Sequence, residues 1–355
     1  MKEIVNILNQ NGYEAYIVGG YVRDFLLGIN SKDIDICTDA PIDKIIEIFK
    51  GRGKAFREYF SYHIEENGYT YDITTYRKEG KYRRNKPVEI EIAPNLGTDL
   101  LRRDFTINTF AIDKDDNLID LLGAKKDLDS RLIRMVGDTY KKLTEDKTRI
   151  IRALRFSCTL DFDLDPKIVD FFSNKKAYLL NEVPKEYKRK ELDKIFECNN
   201  ISRFFYFINK YNMDKYFNIK YSKIVKAYNK YGIWSQIETD LPFTNKEKRI
   251  IDSIRKLVSK KDITINDILE YDDEIIYNAA YILGIENNIK ELKEAINLHS
   301  IIDIDMEVEE LLSYVSVENI KKAYKMVEKN IIEGNINNNR NDIINFLRKT
   351  RLWVI

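Results

Sequence analysis

The sequence predicts an α+β protein, a small sheet-containing head followed by a long helical body. Three observations carry that expectation. Asp33-Ile34-Asp35-Ile36-Cys37 alternates with period two; two β-prone runs flank Asn67-Gly68, a strong hairpin signal; and from about residue 125 the apolar spacing turns helical and stays so to the C-terminus. The 355 residues allow two or three domains, and 44% apolar content supplies real cores, which excludes disorder as a description. The 59 Lys and Arg nearly cancel the 58 Asp and Glu, so a nucleic-acid partner would be held by local basic patches and not by a global field. Cys37, Cys158 and Cys198 are odd in number and widely spaced, with only His63 and His299 beside them. That pattern argues against a disulfide scaffold or a Cys/His zinc site and leaves little room for imidazole chemistry. No apolar run reaches membrane-spanning length and the amphipathic start carries Glu3, so a cytosolic protein with no membrane association is expected.

In chain order, Ile4, Val5, Ile7 and Leu8 set a helical stripe over residues 3 to 10, ended by Asn11-Gly12, and residues 15 to 18 form a short apolar strand before Gly19-Gly20. Val22, Phe25 and Leu26 continue as a helix closed by Gly28. The strand at 33 to 37 turns Ile34 and Ile36 to one face and both aspartates to the other. Pro41 opens a helix carrying Ile42, Ile45, Ile46 and Phe49. Residues 60 to 65 and 69 to 76 are antiparallel strands of the Asn67-Gly68 hairpin. One helix is expected over residues 143 to 156, others over 191 to 196 and 201 to 208, with weak breaks near Asn199-Asn200, Leu241-Pro242 and residues 335 to 341.

Two carboxylates at i and i+2 on a strand point the same way and can chelate divalent cations that bridge triphosphate oxygens. Asp33 and Asp35 fit that demand; the competing reading is an exposed edge strand with solvated acids. Asp72, on the hairpin, is a candidate third carboxylate or an ordinary solvent-facing strand residue. Gly19-Gly20 lies between strand and helix, where bare backbone amides can approach phosphate oxygens, and Arg23 follows one turn later as a phosphate partner.

These residues fall in a recognisable order. Gly19-Gly20-Tyr21-Val22-Arg23-Asp24, Leu26-Leu27-Gly28 and Lys32-Asp33-Ile34-Asp35 resemble the GGxVRDxLLG…DxD signature of the bacterial tRNA nucleotidyltransferase and poly(A) polymerase family, the class II CCA-adding enzymes of the polymerase-β-like superfamily. Arg102-Arg103-Asp104-Phe105-Thr106-Ile107-Asn108 resembles that family's RRDFTxN ribose and triphosphate motif. The run from Glu145-Asp146 through Arg149, Arg152 and Arg155 to Phe156 resembles its EDxxRxxRAxRF motif, and Asp120-Leu121-Leu122-Gly123 with Ile133-Arg134 resembles the link from head to neck.

The resemblance implies a polymerase-β-like nucleotidyltransferase head with a small mixed or antiparallel sheet, then an elongated helical neck, body and tail. The head would span 1–124, the base-recognising neck 125–197, the body 198–275 and a tRNA-binding tail 276–355. The implied activity is addition of CMP residues and then AMP, from CTP and ATP, to the tRNA 3' end, with Mg2+ on Asp33 and Asp35 and no protein partner; Asp72, from its place on the hairpin, is the candidate third catalytic carboxylate. Gly19, Gly20 and Arg23 would cradle the triphosphate, and Arg102, Arg103, Asp104 and Asn108 would lie near its sugar and phosphates. Glu145, Asp146, Arg149, Arg152 and Arg155 would complete the nucleotide site.

The chemistry of the last motif can be argued directly. Asp146 and Arg149 stand i and i+3 on an expected helix and share a face. The carboxylate can accept from the exocyclic amine of cytosine or adenine while the guanidinium donates to the neighbouring ring acceptor. Uracil and guanine present a carbonyl at the amine position and would be rejected. A surface ion pair is the competing reading, and the resemblance assigns the base-reading role. Residues 125–155 hold ten Lys or Arg against five acids and 321–355 hold eight against three, two cationic segments suited to a polyanion; the acidic stretches 267–274 and 303–310 offset them.

Three departures qualify the resemblance. Residues 78–88, after Tyr76-Arg77, are fewer than in the family's flexible loop, and shortened loops mark relatives that add only CC. The segment 183–194 has Pro184 where the family has Ser and Tyr187 where it has Arg. Beyond residue 200 only the helical architecture is similar. A CC-adding enzyme and a poly(A) polymerase therefore stand as alternatives, and a non-enzymatic RNA-binding relative would be expected to lack Asp33 and Asp35.

Overall fold

Asn67 and Gly68 both take left-handed backbone, with φ of 52° and 76°, the conformation a two-residue hairpin turn demands. That turn fixes the register of two strands on which much of the head is built. The computed structural model describes residues 2–295, 304–350 and 352; His299, Asp303 and Arg351 lie outside the described residues. The chain divides into two compact units, residues 1–219 with 240–242, and residues 220–239 with 243–355.

In the first unit, helix α1 (Glu3–Gln10) precedes β1 (Ala15–Val18), α2 (Gly20–Leu26), β2 (Asp33–Thr38), α3 (Ile42–Ile48), β3 (Gly53–Phe56), β4 (Ser61–Glu66) and β5 (Tyr69–Thr75). The hairpin extension follows as β6 (Arg77–Glu79), β7 (Tyr82–Arg83), β8 (Lys86–Pro87) and β9 (Ile90–Ile92), then α4 (Leu96–Arg102), β10 (Ala111–Ile112) and β11 (Leu118–Ile119). The main sheet has seven strands in the order β11-β10-β1-β2-β5-β4-β3. It is mixed, because β2 runs antiparallel to β1 and parallel to β5. Period-two alternation in β2 buries Ile34 and Ile36 at 1% exposure each, while Asp33 and Asp35 face away. Each buried isoleucine contributes about 2 kcal/mol, so a one-residue slip that exchanged the two faces is strongly disfavoured.

Helices follow: α5 (Ala124–Asp129), α6 (Thr139–Glu145), α7 (Thr148–Leu160), α8 (Pro166–Ser173), α9 (Lys185–Phe196) and α10 (Ile201–Lys210). The expected single helix over 143–156 is two helices. Asp146 has φ −130° and ψ 100°, and its Oδ1 accepts from the Thr148 N–H at 3.0 Å and hydroxyl at 2.6 Å. A side chain that bonds the backbone two residues ahead offers an alternative to helix continuation, so the chain breaks at this residue. Nor is the region beyond 125 helical throughout, since β12 (Leu132–Ile133) pairs in parallel with β13 (Asp163–Leu164).

The second unit contains α11 (Lys230–Ser235), α12 (Asn245–Lys260), α13 (Ile265–Glu270), α14 (Asp273–Leu283), α15 (Glu286–Ala295), α16 (Val308–Leu311), α17 (Ile320–Ile332) and α18 (Arg340–Arg348). Ile254, Leu257, Ile276 and Ala280 share one core, and Ala323, Val327, Ile343 and Leu347 another. Asp267 is 2% exposed: it closes a capping box with Thr264 and pairs with Lys260, so it is no solvated acid. The described tail cations Lys321, Lys322, Lys325, Lys329, Arg340, Arg348 and Lys349 are all exposed. Among the described residues no helix is long and apolar enough to cross a membrane.

Candidate active site

Strand β1 ends at Val18, opposite Asp35 of β2, and the chain turns at Gly19 into α2. Gly19 has φ +77° and ψ −141°, and a Cβ built on it would lie 2.7 Å from Asp35 Oδ2 and 2.9 Å from Arg103 Nη1. Glycine is therefore needed twice over, for the backbone angle and for the close approach. The substitution Gly19→Ala is expected to lower the rate of the reaction at this site by about 100-fold or more, because it displaces Asp35 and Arg103 together. Steady-state turnover, with circular dichroism to verify the fold, measures it.

Asp35 also stands opposite Asp72 across the parallel β2–β5 pair. Asp33, Asp35 and Asp72 all line one cavity of about 670 Å³, together with Gly19, Gly20, Arg23, Arg102, Arg103, Asp104, Asn108, Asp146, Arg149, Arg152 and Arg155. The sequence-predicted residues thus converge, with one exception. Glu145 ends α6, faces Lys141 at 3.8 Å and lines a different groove with Lys78 and Lys142, outside that cavity.

Arginines and carboxylates are interlocked around it. Asp99, fully buried on α4, accepts from Arg102 Nε at 2.9 Å, Arg103 Nη2 at 3.4 Å and the Arg77 backbone N–H at 3.1 Å. Arg23 donates to Asn108 Oδ1 at 2.6 Å and to Asp24 Oδ1 at 2.7 and 2.9 Å. Asn108 in turn donates to Asp104 at 2.9 Å, and Asp104 also accepts from Arg152 Nε at 2.7 Å. Arg155 is held by Glu191 of α9 at 2.6 Å. The guanidinium carbons of Arg23, Arg152 and Arg155 lie 4.8, 5.4 and 4.1 Å from the centre of the Phe156 ring, whose π-face tolerates three like charges close together. The buried Nε atoms of Arg77 and Arg103 have no hydrogen-bond partner, as expected of donors placed where an anionic ligand belongs.

The carboxyls differ in electrostatics. Burial among protein atoms, then the Asp72 and Asp33 charges, raise the Asp35 pKa against the opposing pull of Arg103 and Arg102. Burial also opposes ionisation of Asp104, but Arg152, Asn108 and the Phe105 N–H outweigh it and hold that carboxyl well below the usual range. Among the described residues no three His, Cys, Asp or Glu side chains form a closed metal centre. The pair on β2 still fits a hard cation, because Mg2+ is commonly held by one or two carboxylates with substrate phosphates and water completing its shell.

Asp146 and Arg149 meet across the helix break. Asp146 Oδ2 lies 3.7 Å from Arg149 Nε, and the Arg149 guanidinium is 5% exposed as a residue, donating to the Lys142 carbonyl at 3.0 Å and the Tyr82 hydroxyl at 2.9 Å. Tyr82 belongs to the β7–β8 extension, so the residues expected as a loop after Arg77 form paired strands that reach α7. Helix α9 begins after Pro184 and brings Tyr187 to the cavity, the two positions that depart from the familiar motif.

Sequence reasoning missed Asp99, Arg77, Glu79 and His63. Asp99 was legible from its spacing, i−3 and i−4 to two arginines on one helix. His63 donates from Nδ1 to Asp72 Oδ1 at 2.8 Å, which raises its pKa. A two-residue turn at 67–68 already dictates that 63 faces 72, so this pairing was available from the hairpin register.

Comparison with known proteins adds a family and a fold. The Poly A polymerase head domain family matches residues 15–134. A CCA-adding enzyme of Bacillus pumilus is 37% identical over 195 residues, 55% of this chain and 48% of that protein, so the stronger match spans about half the relative's length. A CCA-adding enzyme of Staphylococcus haemolyticus is 28% identical over 98% of this chain and 97% of its own. The crystal structure of the Bacillus stearothermophilus CCA-adding enzyme in complex with CTP superposes with a TM-score of 0.75 at 21% identity, covering 98% of this chain and 95% of that one. At that identity the likeness concerns the fold, a polymerase-β-like head with a mixed sheet followed by helices.

Proposed function

We propose, from the match of residues 15–134 to the Poly A polymerase head domain family and the similarity to CCA-adding enzymes, that the chain is a member of the family of tRNA nucleotidyltransferases and poly(A) polymerases and that it adds CMP residues and then AMP, from CTP and ATP, to the 3' end of tRNA. The observation that carries this reading is the convergence, in one cavity, of the β2 carboxylates, the arginines of α2, α4 and α7, and the Asp146–Arg149 pair. Seven arginines and seven carboxylates line it, so its formal charge is balanced and a nucleoside triphosphate would arrive with its negative charge uncompensated unless cations came with it. That balance supports a divalent-metal requirement, with Mg2+ on Asp33 and Asp35.

When bound there, Mg2+ would lower the pKa of the primer 3'-hydroxyl and neutralise the pyrophosphate leaving group. The protein residues supply the rest. Gly19 and Gly20 let the backbone approach the triphosphate, and Arg23, Arg102 and Arg103 offer guanidinium donors to its oxygens. Asp104 and Asn108 fix Arg152 and Arg23 and lie where the sugar would rest. Asp72 is assigned as the third carboxylate, beside Asp35. Arg152 and Arg155 border the nucleotide; Glu145, outside the cavity, is assigned no contact with it.

Base choice is assigned to Asp146 and Arg149. Two hydrogen bonds from Thr148 orient the Asp146 carboxylate through Oδ1, leaving Oδ2 beside the Arg149 guanidinium as an acceptor next to a donor. Cytosine and adenine match that pair, and uracil and guanine set acceptor against acceptor. Asp146→Ala is expected to reduce discrimination against UTP by about 10- to 100-fold, since one base-edge contact is worth about 1–3 kcal/mol. Competition of UTP with CTP in single-nucleotide addition measures it, and unchanged preference would refute the role.

The division into head 1–124, neck 125–197, body 198–275 and tail 276–355 is proposed as the division of labour, with the exposed tail cations touching tRNA in the cytoplasm. Incorporation of labelled CMP into a tRNA transcript lacking its 3' CCA, with Mg2+ and after its removal by chelation, tests the reaction itself. No incorporation under either condition would overturn the reading.

A further inference from the structure

Cys158 and Cys198, far apart in the chain, meet in space. Cys158 lies near the end of α7 and is 2% exposed, whereas Cys198 follows α9, is partly open to solvent, and both line a surface cavity of about 530 Å³ with Lys194 and Asp161. The two thiols are hydrogen-bonded to each other. The backbone N–H of Asn200, just before the start of α10, also favours the Cys198 thiolate. Contact with Cys158 holds the Cys198 thiol below the ordinary value, while the same contact and burial raise that of Cys158. Neither cysteine lines the nucleotide cavity.

We propose that Cys158 and Cys198 form a hydroperoxide-sensitive thiol pair that closes to an intrachain disulfide. The Cys198 thiolate attacks the O–O bond of a hydroperoxide, which leaves as an alcohol or water after protonation, and Cys198 becomes a sulfenic acid. The Cys158 thiol then attacks that sulfur, the S–S bond forms, and water departs with the Cys158 proton. Two thiols are oxidised and one hydroperoxide is reduced. Thiols already within hydrogen-bond reach need little backbone movement for this step. The bond joins the C-terminal end of α7, which carries Arg149, Arg152 and Arg155, to the end of α9, which carries Tyr187 and Glu191.

Peptide mapping of the full-length protein after hydrogen peroxide treatment, with alkylation in denaturant, tests this. The expected result is a loss of about 2 Da per chain, a cross-linked peptide containing Cys158 and Cys198, alkylated Cys37, and reversal by dithiothreitol. The melting temperature of the oxidised protein should rise by roughly 5 °C and return on reduction. In Cys198→Ser the cross-link should vanish and Cys158 should remain reduced; in Cys158→Ser dimedone should trap a sulfenic acid on Cys198. Should Cys158→Ser fail to fold, the wild-type cross-link and Cys198→Ser decide the matter. Wild-type Cys198 that passes to sulfinic acid without cross-linking, or that alkylates as freely as Cys37, would overturn the proposal.

Discussion

Asp35→Asn is expected to abolish nucleotide addition, by about 10³-fold or more, and to leave the metal-free fold at least as stable as the parent. Both effects have one cause. Asp35 stands beside Asp72 and Asp33 and is crowded by protein, so its folded pKa lies above its unfolded value and its ionised form is unfavourable when no cation is bound. A group shifted in that direction contributes stability that is fully present below its unfolded pKa and is lost as pH rises through its folded pKa. At neutral pH an uncharged Asn removes the repulsion and also the cation ligand. Turnover, tRNA binding and thermal unfolding in chelator should therefore separate: the first lost, the second kept, the third unchanged or raised. Lost binding with intact turnover would contradict the assignment.

Asp104→Asn is expected to destabilise the first unit by about 2–3 kcal/mol at neutral pH. Losing one partner of a fully buried ion pair costs about 3–5 kcal/mol, and the lower figure applies because the Arg152 side chain keeps 31% of its surface in solvent. Asp104 is depressed in the folded protein by Arg152, Asn108 and the Phe105 N–H despite its burial. Its contribution is therefore present above the unfolded carboxyl pKa of about 3.9 and lost as pH falls through the lower folded value. The parent and Asp104→Asn should thus differ most in urea midpoint near pH 7 and converge in acid below about pH 4. A difference that stays constant from pH 7 to pH 3 would show that the carboxylate charge is not what holds Arg152.

The parts of this fold that were legible in the sequence are those with a short period or an obligatory backbone angle. Asp33 to Cys37 alternates, so the common face of Asp33 and Asp35 followed directly, and Asn67-Gly68 announced its hairpin. Strand β3 carries no alternation of its own, since Gly53 to Phe56 is an edge strand with three of four residues exposed, and it was not foreseen. The break at Asp146 was hidden because apolar spacing runs through it; the local bonds from Thr148 to the Asp146 side chain decide it.

The candidate site was legible as residue types and not as a network. Arg102 and Arg103 could be singled out by motif, and the spacing of Asp99 to them on one helix marks it as their partner, but that it is fully buried and also holds the Arg77 backbone N–H emerges only in the fold. Parallel pairing of β2 with β5, which brings Asp72 next to Asp35, is a long-range choice that no local pattern encodes. The same holds for Cys158 and Cys198, which read as unrelated thiols in the chain and are neighbours in the fold.

The central claim, that one cavity selects C and then A and joins them to tRNA without a nucleic-acid template, is tested most directly by gel-resolved extension of a tRNA ending before its CCA, with CTP alone, ATP alone, or both. Two nucleotides with CTP alone, a third only when ATP is also present, and no extension with ATP alone is the predicted pattern. A stop after two nucleotides in the presence of both would identify CC addition and direct attention to the β6–β9 extension. Long tails with ATP alone would contradict the claim and identify a poly(A) polymerase.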